Sequence, residues 1–240
     1  YEQYDCLVGA DTVIRPGGDA AVVRIPGTNR GIAMTTDCAE RHCQLDPRGG
    51  GAAAVFEAAR NIACTGARPA AITNCLNFPN PEKGHTGWRL AQAIAGMSDA
   101  CLALGTPVVS GNVSLYNESA ARMIFPTPVV GMVGLLDDAA RSVGHAFAHD
   151  GDVVLLVGTG EPRIDGSEYL GRAEGHPATP DADTEVALCR LLADAADEGL
   201  LTSAHDVAAG GFAVALAESA MAGGRGVAVT LGATSRQDAA

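Results

Sequence analysis

Lysine is almost missing from this 240-residue chain: Lys83 is the only one, and 16 basic residues stand against 28 acidic ones, for a formal charge of −12. Binding along a nucleic-acid backbone needs clustered positive charge, so no nucleic-acid partner is expected. The few arginines suffice to hold a single phosphate, and small anions are expected to be met locally, by backbone groups or a metal. No uninterrupted apolar stretch approaches the ~20 residues of a membrane helix, so no membrane span is expected either. The seven cysteines contain no C-x-x-C pair and most sit in apolar runs, which excludes a disulfide scaffold and reads as buried thiols of a reducing compartment, the cytoplasm by default. Walker loop, H-E-x-x-H, G-x-S-x-G and zinc-ligand spacings are all absent. The chain starts at Tyr1 with neither methionine nor a basic-then-apolar leader, so the expectation is a fragment without a secretory signal.

What is present is 47% hydrophobic and 18% charged, a balance that argues against disorder, at a length that suits one large domain or two modest ones. Asp19 to Pro26 and Gly31 to Asp37 are β-branched runs around Gly27-Thr28-Asn29-Arg30, which predicts a hairpin. Helical spacing of Ala53, Val55, Phe56, Ala59 and Ile62 predicts a helix from about 50 to 66, and a second is expected from Trp88 to Leu104, closed by Gly105. Strands are expected at 71–78, 106–110 and 129–136, with a boundary near His149-Asp150-Gly151. Beyond it come a strand at 152–158, a loop at 159–181, helices near 183–198 and 212–222, and a last strand at 226–231. Strands and helices mix without a doubly wound beat, so the fold class is α+β in two domains, 1–148 and 149–240. With few strands in its 92 residues, the C-terminal domain is expected to be truncated.

The stretch richest in chemistry is Pro107 to Glu118, where an apolar strand runs into Gly111-Asn112 and then Ser114 and Asn117. Strand ends are where ligands settle in α/β sheets. A plain Gly-Asn turn with a solvated serine also fits. Another strand ends in Thr73-Asn74-Cys75-Leu76-Asn77, and its buried amides must bond either the backbone or a ligand, so both segments are expected to serve one site. The other candidate is Ser203 to Phe212, in which Gly210-Gly211 precede a helix whose first N–H groups favour a phosphate, although ordinary loops use the same pair. His205 and Asp206 read either as an acid–base pair or, for Asp206, as a helix cap.

Several segments, in order, resemble the second half of phosphoribosylformylglycinamidine synthase: Asp19-Ala-Ala-Val-Val-Arg24, Glu57-Ala-Ala-Arg-Asn-Ile62, Cys75-Leu-Asn-Phe78, Asn80-Pro-Glu-Lys83, Gly111-Asn-Val-Ser-Leu-Tyr-Asn-Glu118, Pro126 to Gly134, Gly166-Ser-Glu-Tyr-Leu170 and His205-Asp-Val with Gly210-Gly211. The resemblance spans nearly the whole chain. The Asn-Val-Ser-Leu-Tyr-Asn-Glu run is specific to it, whereas the glycine pair is shared with the wider superfamily of aminoimidazole ribonucleotide synthetase. Such enzymes convert formylglycinamide ribonucleotide, ATP and glutamine-derived ammonia to formylglycinamidine ribonucleotide in purine biosynthesis, through an iminophosphate.

The resemblance implies a synthetase-like N-terminal α/β domain that pairs with a first repeat into a barrel-like core, followed by an α+β C-terminal domain. It implies that Gly111 and Asn74 contact ATP, that Asn112 ligates Mg²⁺, that Ser114 touches the ribonucleotide, and that Gly210 and Gly211 form a possible phosphate loop. Asn74 stands where the family commonly has aspartate, a change that removes a charge near the nucleotide. The implied partners are the first repeat, in the same chain or another, a glutaminase subunit or domain, and a small accessory subunit. The family's catalytic histidine and most metal carboxylates belong to the first repeat, so no catalytic residue is expected in this chain and the chain alone should be inactive. Its rivals are a non-catalytic nucleotide-binding or scaffold repeat of the same enzyme, or another synthetase of the superfamily.

Overall fold

Residues 6–158, 164–170 and 174–230 are described by the computed structural model. The first unit is one mixed sheet of β1 (Thr12–Ile14), β2 (Ala21–Arg24), β3 (Gly31–Asp37), β4 (Arg68–Asn77), β5 (Val108–Ser114) and β6 (Thr127–Leu136), in the order β1-β2-β3-β6-β4-β5. The expected hairpin is the β2–β3 pair, antiparallel from Ala21–Met34 to Arg24–Gly31. β3 and β4 both run antiparallel to β6, and β4 runs parallel to β5. The C-terminal ends of β3, β4 and β5 therefore share one edge of the sheet.

Helices α1 (Glu40–Leu45), α2 (Pro47–Cys64) and α3 (Thr86–Leu104) cover one face. α2 starts earlier than its apolar spacing predicts, because Asp46 caps it by accepting from Gly49 N–H and Pro47 occupies its first turn. Its Ala54, Val55, Ala58, Ala59, Ile62 and Ala63 are fully buried, joined by Val22, Ala33, Ile72, Val130 and Met132 from the sheet. Glycines let α2 and α3 touch backbone to backbone. A Cβ at Gly51 would strike the Ala93 carbonyl, and one at Gly96 would strike the Arg48 carbonyl. The opposite face is open, with Met34, Val133 and Leu135 exposed.

The second unit contributes α4 (Ala182–Asp197) and α5 (Gly211–Gly223), as predicted. The strand expected at 152–158 does not form: Val153 and Leu155 are 81% and 76% exposed, without a ladder partner among the described residues. Residues 226–230 likewise form no strand, and residue 231 lies outside the described residues. A β-branched run becomes a strand only when a neighbour takes its backbone groups. The short β1 and α1 were not anticipated from the sequence. Four of the cysteines, Cys43, Cys64, Cys101 and Cys189, are buried, and all seven are free. Among the described residues no helix is long and apolar enough to cross a membrane.

Intrinsic helix propensity favours alanine over glycine by about 1 kcal/mol in a helix interior. At Gly96 the collision is with backbone, which no rotamer relieves, so overpacking at about 1–3 kcal/mol outweighs it. Gly96→Ala is expected to lower the denaturation midpoint; a midpoint at or above the wild-type value would show that α2 and α3 do not touch.

Candidate functional site

The parallel register of β4 and β5 sets Asn74 beside Gly111, Cys75 beside Asn112 and Asn77 beside Ser114. The strand thus continues through Gly111-Asn112, where a turn or strand end was expected; ladder pairing with β4 overrides the local Gly-Asn turn signal. Gly111 leaves room there for the Asn74 carboxamide, whose oxygen a Cβ would displace. The pleat then divides the predicted set. Asn74 pairs with buried Val130 and so lies, with Gly111, on the helix-covered side, while Cys75, Asn112, Asn77 and Ser114 lie on the open side. The two segments meet as expected, but around both sides of an edge strand.

On the open side, Asn112 Nδ2 donates to Cys75 Sγ at 3.4 Å, which turns its Oδ1 away from the sulfur. That oxygen is a hard donor of the kind magnesium takes. The Ser114 hydroxyl donates to Asn117 Oδ1 at 3.2 Å. Lys83 is ion-paired with Glu118, whose other oxygen accepts from the Asn80 N–H at 3.2 Å, so the proline-rich loop 79–84 is tied to the segment after β5. Lys83 also holds the Glu118 carboxyl below its usual range. Tyr116, between them, has a positive φ of 60°.

The second candidate segment, with His205 and Asp206, does line a cavity, but the acidic groups it meets there from the first unit were not anticipated. A cleft of about 460 Å³ opens where β3 ends, lined by Asp19, Asp37, Glu57, Asn61, His205 and Asp206, with Glu218 of α5 at its side. Glu57 and Asn61 are four apart on α2, one turn of one face, and Glu57-x-x-x-Asn61 was the signal available in the sequence. Asn61 donates to Asp37 at 2.8 Å. Burial raises the Asp37 pKa to about 6 despite that bond, and burial with Asp37 and Asp206 nearby raises Glu57 to about 7. Arg60 is the compensating cation, bonding Asp206 Oδ1 at 2.8 Å and both Glu185 oxygens at 2.9 Å. Burial alone would lower its pKa, but the two carboxylates outweigh burial and raise it.

His205 and Asp206 are not an acid–base pair. The His205 ring bonds Asp19 at 2.9 Å through Nδ1 and Glu218 at 3.1 Å through Nε2, whereas Asp206 turns to Arg60. Nor does Asp206 cap α5, whose N-cap is Gly210 without a side-chain bond. Gly210 and Gly211 stand at that helix start, and Ala208 and Ala209 just before them line the cleft. Asp206 Oδ2 is buried with no hydrogen-bond partner among the described residues. Asp37, Glu57, Asn61 and this orphaned oxygen supply hard donors suited to a cation, although no three acidic, histidine or cysteine side chains among the described residues already stand at chelating distance.

The AIR synthase related protein N-terminal domain model matches residues 17–136, and its C-terminal domain model matches 149–240. The chain belongs to the AIR synthase related family. Among the relatives of this AIR synthase related chain, the phosphoribosylformylglycinamidine synthase subunit PurL of Moorella thermoacetica is 54% identical over 99% of the chain and 33% of that protein. The PurL subunit of Caldanaerobacter subterraneus is 49% identical with the same coverage. The resemblance read from the sequence therefore holds, and the chain spans about a third of the length of these relatives. The Thermotoga maritima PurL solved with AMPPCP is 30% identical over 82% of this chain and 30% of that one, at a TM-score of 0.59, and the same protein has been solved with FGAR. The PurLQS structure from T. maritima is 39% identical over 59% of this chain and 24% of that one, at a TM-score of 0.54.

Asp19 and Glu218, partly offset by burial, raise the His205 pKa from 6.5 to about 9. The stability this cation contributes is complete below pH 6.5 and is lost as pH rises through about 9. Glu57 acts in the same direction at lower pH: its carboxyl is raised, so ionisation costs stability as pH rises from about 4.5 through about 7. The melting temperature is expected to fall between pH 5 and 9.5, with His205→Gln flattening the upper part of the curve and Glu57→Gln the lower. Parallel curves for wild type and His205→Gln above pH 7 would exclude the His205 contribution.

Proposed function

We propose that this chain forms the second repeat of a phosphoribosylformylglycinamidine synthase, divided at about residue 148 into a synthetase-like N-terminal and C-terminal domain. Together with a first repeat it converts formylglycinamide ribonucleotide, ATP and glutamine-derived ammonia to formylglycinamidine ribonucleotide. ATP phosphorylates the substrate amide oxygen to an iminophosphate, and ammonia then displaces phosphate. The observation that carries this reading is the parallel β4–β5 register, which sets Asn112 and Ser114 two residues apart on one open side of an edge strand.

In this reading Ser114 touches the ribonucleotide, and Gly111 lets the nucleotide approach the backbone, with Asn74 beside it. Asn112 would hold Mg²⁺ through Oδ1, since its Nδ2 is the atom committed to Cys75. When bound, the metal would supply neutralisation of phosphate charge, while the chain's own residues orient the nucleotide and the ribonucleotide. Asn74 offers no charge to the nucleotide, so its contribution is hydrogen bonding alone. In this reading the enzyme works in the cytoplasm, with a glutaminase and a small accessory subunit as partners; the subunit naming of the relatives and the PurLQS structure of T. maritima support a multi-subunit assembly.

A second reading, a non-catalytic nucleotide-binding repeat, is favoured by the acidic cleft with its orphaned Asp206 oxygen and by the glycine pair at Gly210-Gly211 as a phosphate loop. Titration of Mg²⁺-ADP into the protein that joins this chain to its first repeat separates the two. Asn112→Ala is expected to weaken magnesium-dependent binding by about tenfold or more, the scale of one lost ion contact. Binding unaffected by Asn112→Ala but lost with Glu57→Gln would move the nucleotide to the cleft. Ser114→Ala is expected to reduce ribonucleotide affinity more than nucleotide affinity; equal losses would count against its assignment.

A further inference from the structure

Ser114 is held by a closed network of hydrogen bonds across the ends of β4 and β5. Phe78 N–H donates to the Ser114 carbonyl at 3.0 Å, and Asn117 N–H donates to the Phe78 carbonyl at 3.2 Å, so the chain closes on itself across the ends of β4 and β5. The Asn117 side chain fills that closure. Its Nδ2 lies 2.8 Å from the Ser114 carbonyl oxygen and 3.2 Å from the Phe78 carbonyl oxygen. A carboxamide nitrogen carries two hydrogens, and these two carbonyls take both.

The Ser114 hydroxyl lies 3.1 Å from the same Nδ2 and 3.2 Å from Asn117 Oδ1. With both N–H groups committed, the hydroxyl's own hydrogen makes the remaining bond, to Oδ1. Turning the amide over would set Oδ1 against two carbonyl oxygens, so the network dictates its orientation. Ser114 is half-buried, and what its hydroxyl still offers is lone pairs.

We infer that Asn117 is a positioning residue that fixes Ser114 as a hydrogen-bond acceptor, so that Ser114 receives an O–H or N–H donor of the ribonucleotide and does not donate to its phosphate. The inference rests on the proposed contact between Ser114 and the ribonucleotide, and adds which part of the ligand it meets. Formylglycinamide ribonucleotide carries both kinds of donor, the ribose hydroxyls and the amide N–H groups.

Calorimetric titration of the full-length enzyme with the ribonucleotide and its analogues tests this. Fluorine cannot donate a hydrogen bond, so where a ribose hydroxyl is the donor, its fluoro analogue binds as weakly as its deoxy analogue, each about tenfold below the parent for one lost bond. Where an amide N–H is the donor, the ribose analogues bind like the parent and the N-methylated amide carries the loss. In Ser114→Ala the parent falls to the level of the donor-lacking analogue and that analogue loses nothing further. In Asn117→Ala the serine proton is released and the gap between parent and donor-lacking analogue shrinks, while Mg²⁺-ADP affinity is unchanged, which a general loosening of the fold would not reproduce.

A fluoro analogue that binds like the parent while the deoxy analogue binds weakly overturns the inference, as does wild-type donor preference retained in Asn117→Ala. Normal binding of every analogue overturns it too. Ribonucleotide affinity unchanged in Ser114→Ala removes the underlying contact, and the inference falls with it. The fluoro, deoxy and N-methyl comparison uses the wild-type protein and stands even where Asn117→Ala does not fold.

Discussion

Helix α2 is the constraint on which the remaining structure depends. It packs against the sheet and against helices α3 and α4, so most of its side chains are small or apolar, and six of its residues are fully buried. Glycine at 51 and at 96 brings α2 and α3 into backbone contact, where any side chain would clash. That packing sets the azimuth of the polar side chains α2 does carry. Glu57 and Asn61 emerge at the cleft beside Asp37, and Arg60 emerges toward the second unit.

Arg60 then decides how the two units sit on each other. Its guanidinium joins Glu185 of α4 and Asp206 of the segment before α5, with side-chain exposures of 20%, 15% and 5%. Ion pairs this buried are strongly destabilising to break, because a partner is left charged and unpaired. His205 works beside it, bridging Asp19 before β2 and Glu218 on α5. Both anchors place carboxylates around one cleft, where burial and mutual repulsion push Asp37 and Glu57 up toward neutrality. The cleft is therefore acidic in composition, with Glu57 only partly ionised near neutral pH.

The β4–β5 site follows a different logic. Its polar groups sit on an edge strand, and among the described residues their hydrogen bonds stay within the first unit. Order there comes from local closure: Asn117 locks the strand ends, and Lys83 with Glu118 ties the proline-rich loop to the segment after β5. Two sites at one edge of one sheet thus differ in what holds them: ion pairs between the two units in one, and hydrogen bonds among groups of the first unit, chiefly from the Asn112 and Asn117 carboxamides, in the other.

Much of this fold is legible in the sequence. Alanine-filled apolar spacing marks α2 and α3, the Gly27–Gly31 turn marks the β2–β3 hairpin, and the run Asn112 to Glu118 marks the β4–β5 site, because each signal acts over a few residues. The course of β5 through Gly111-Asn112 is not legible, since pairing with β4 outweighs the local turn preference. Nor is the split of Asn74 and Gly111 from Asn112 and Ser114, which is a matter of pleat and register. The strands expected at 152–158 and 226–231 show the same limit from the other side: apolar alternation names a strand, but a ladder needs a partner. By itself the sequence determined the elements and their small-residue faces. Only the tertiary structure brought Asp19, Asp37, Glu57, His205 and Asp206 into one cleft, because ion pairs and burial act between groups as much as 187 positions apart along the chain, as in the bond from Asp206 N–H to Asp19.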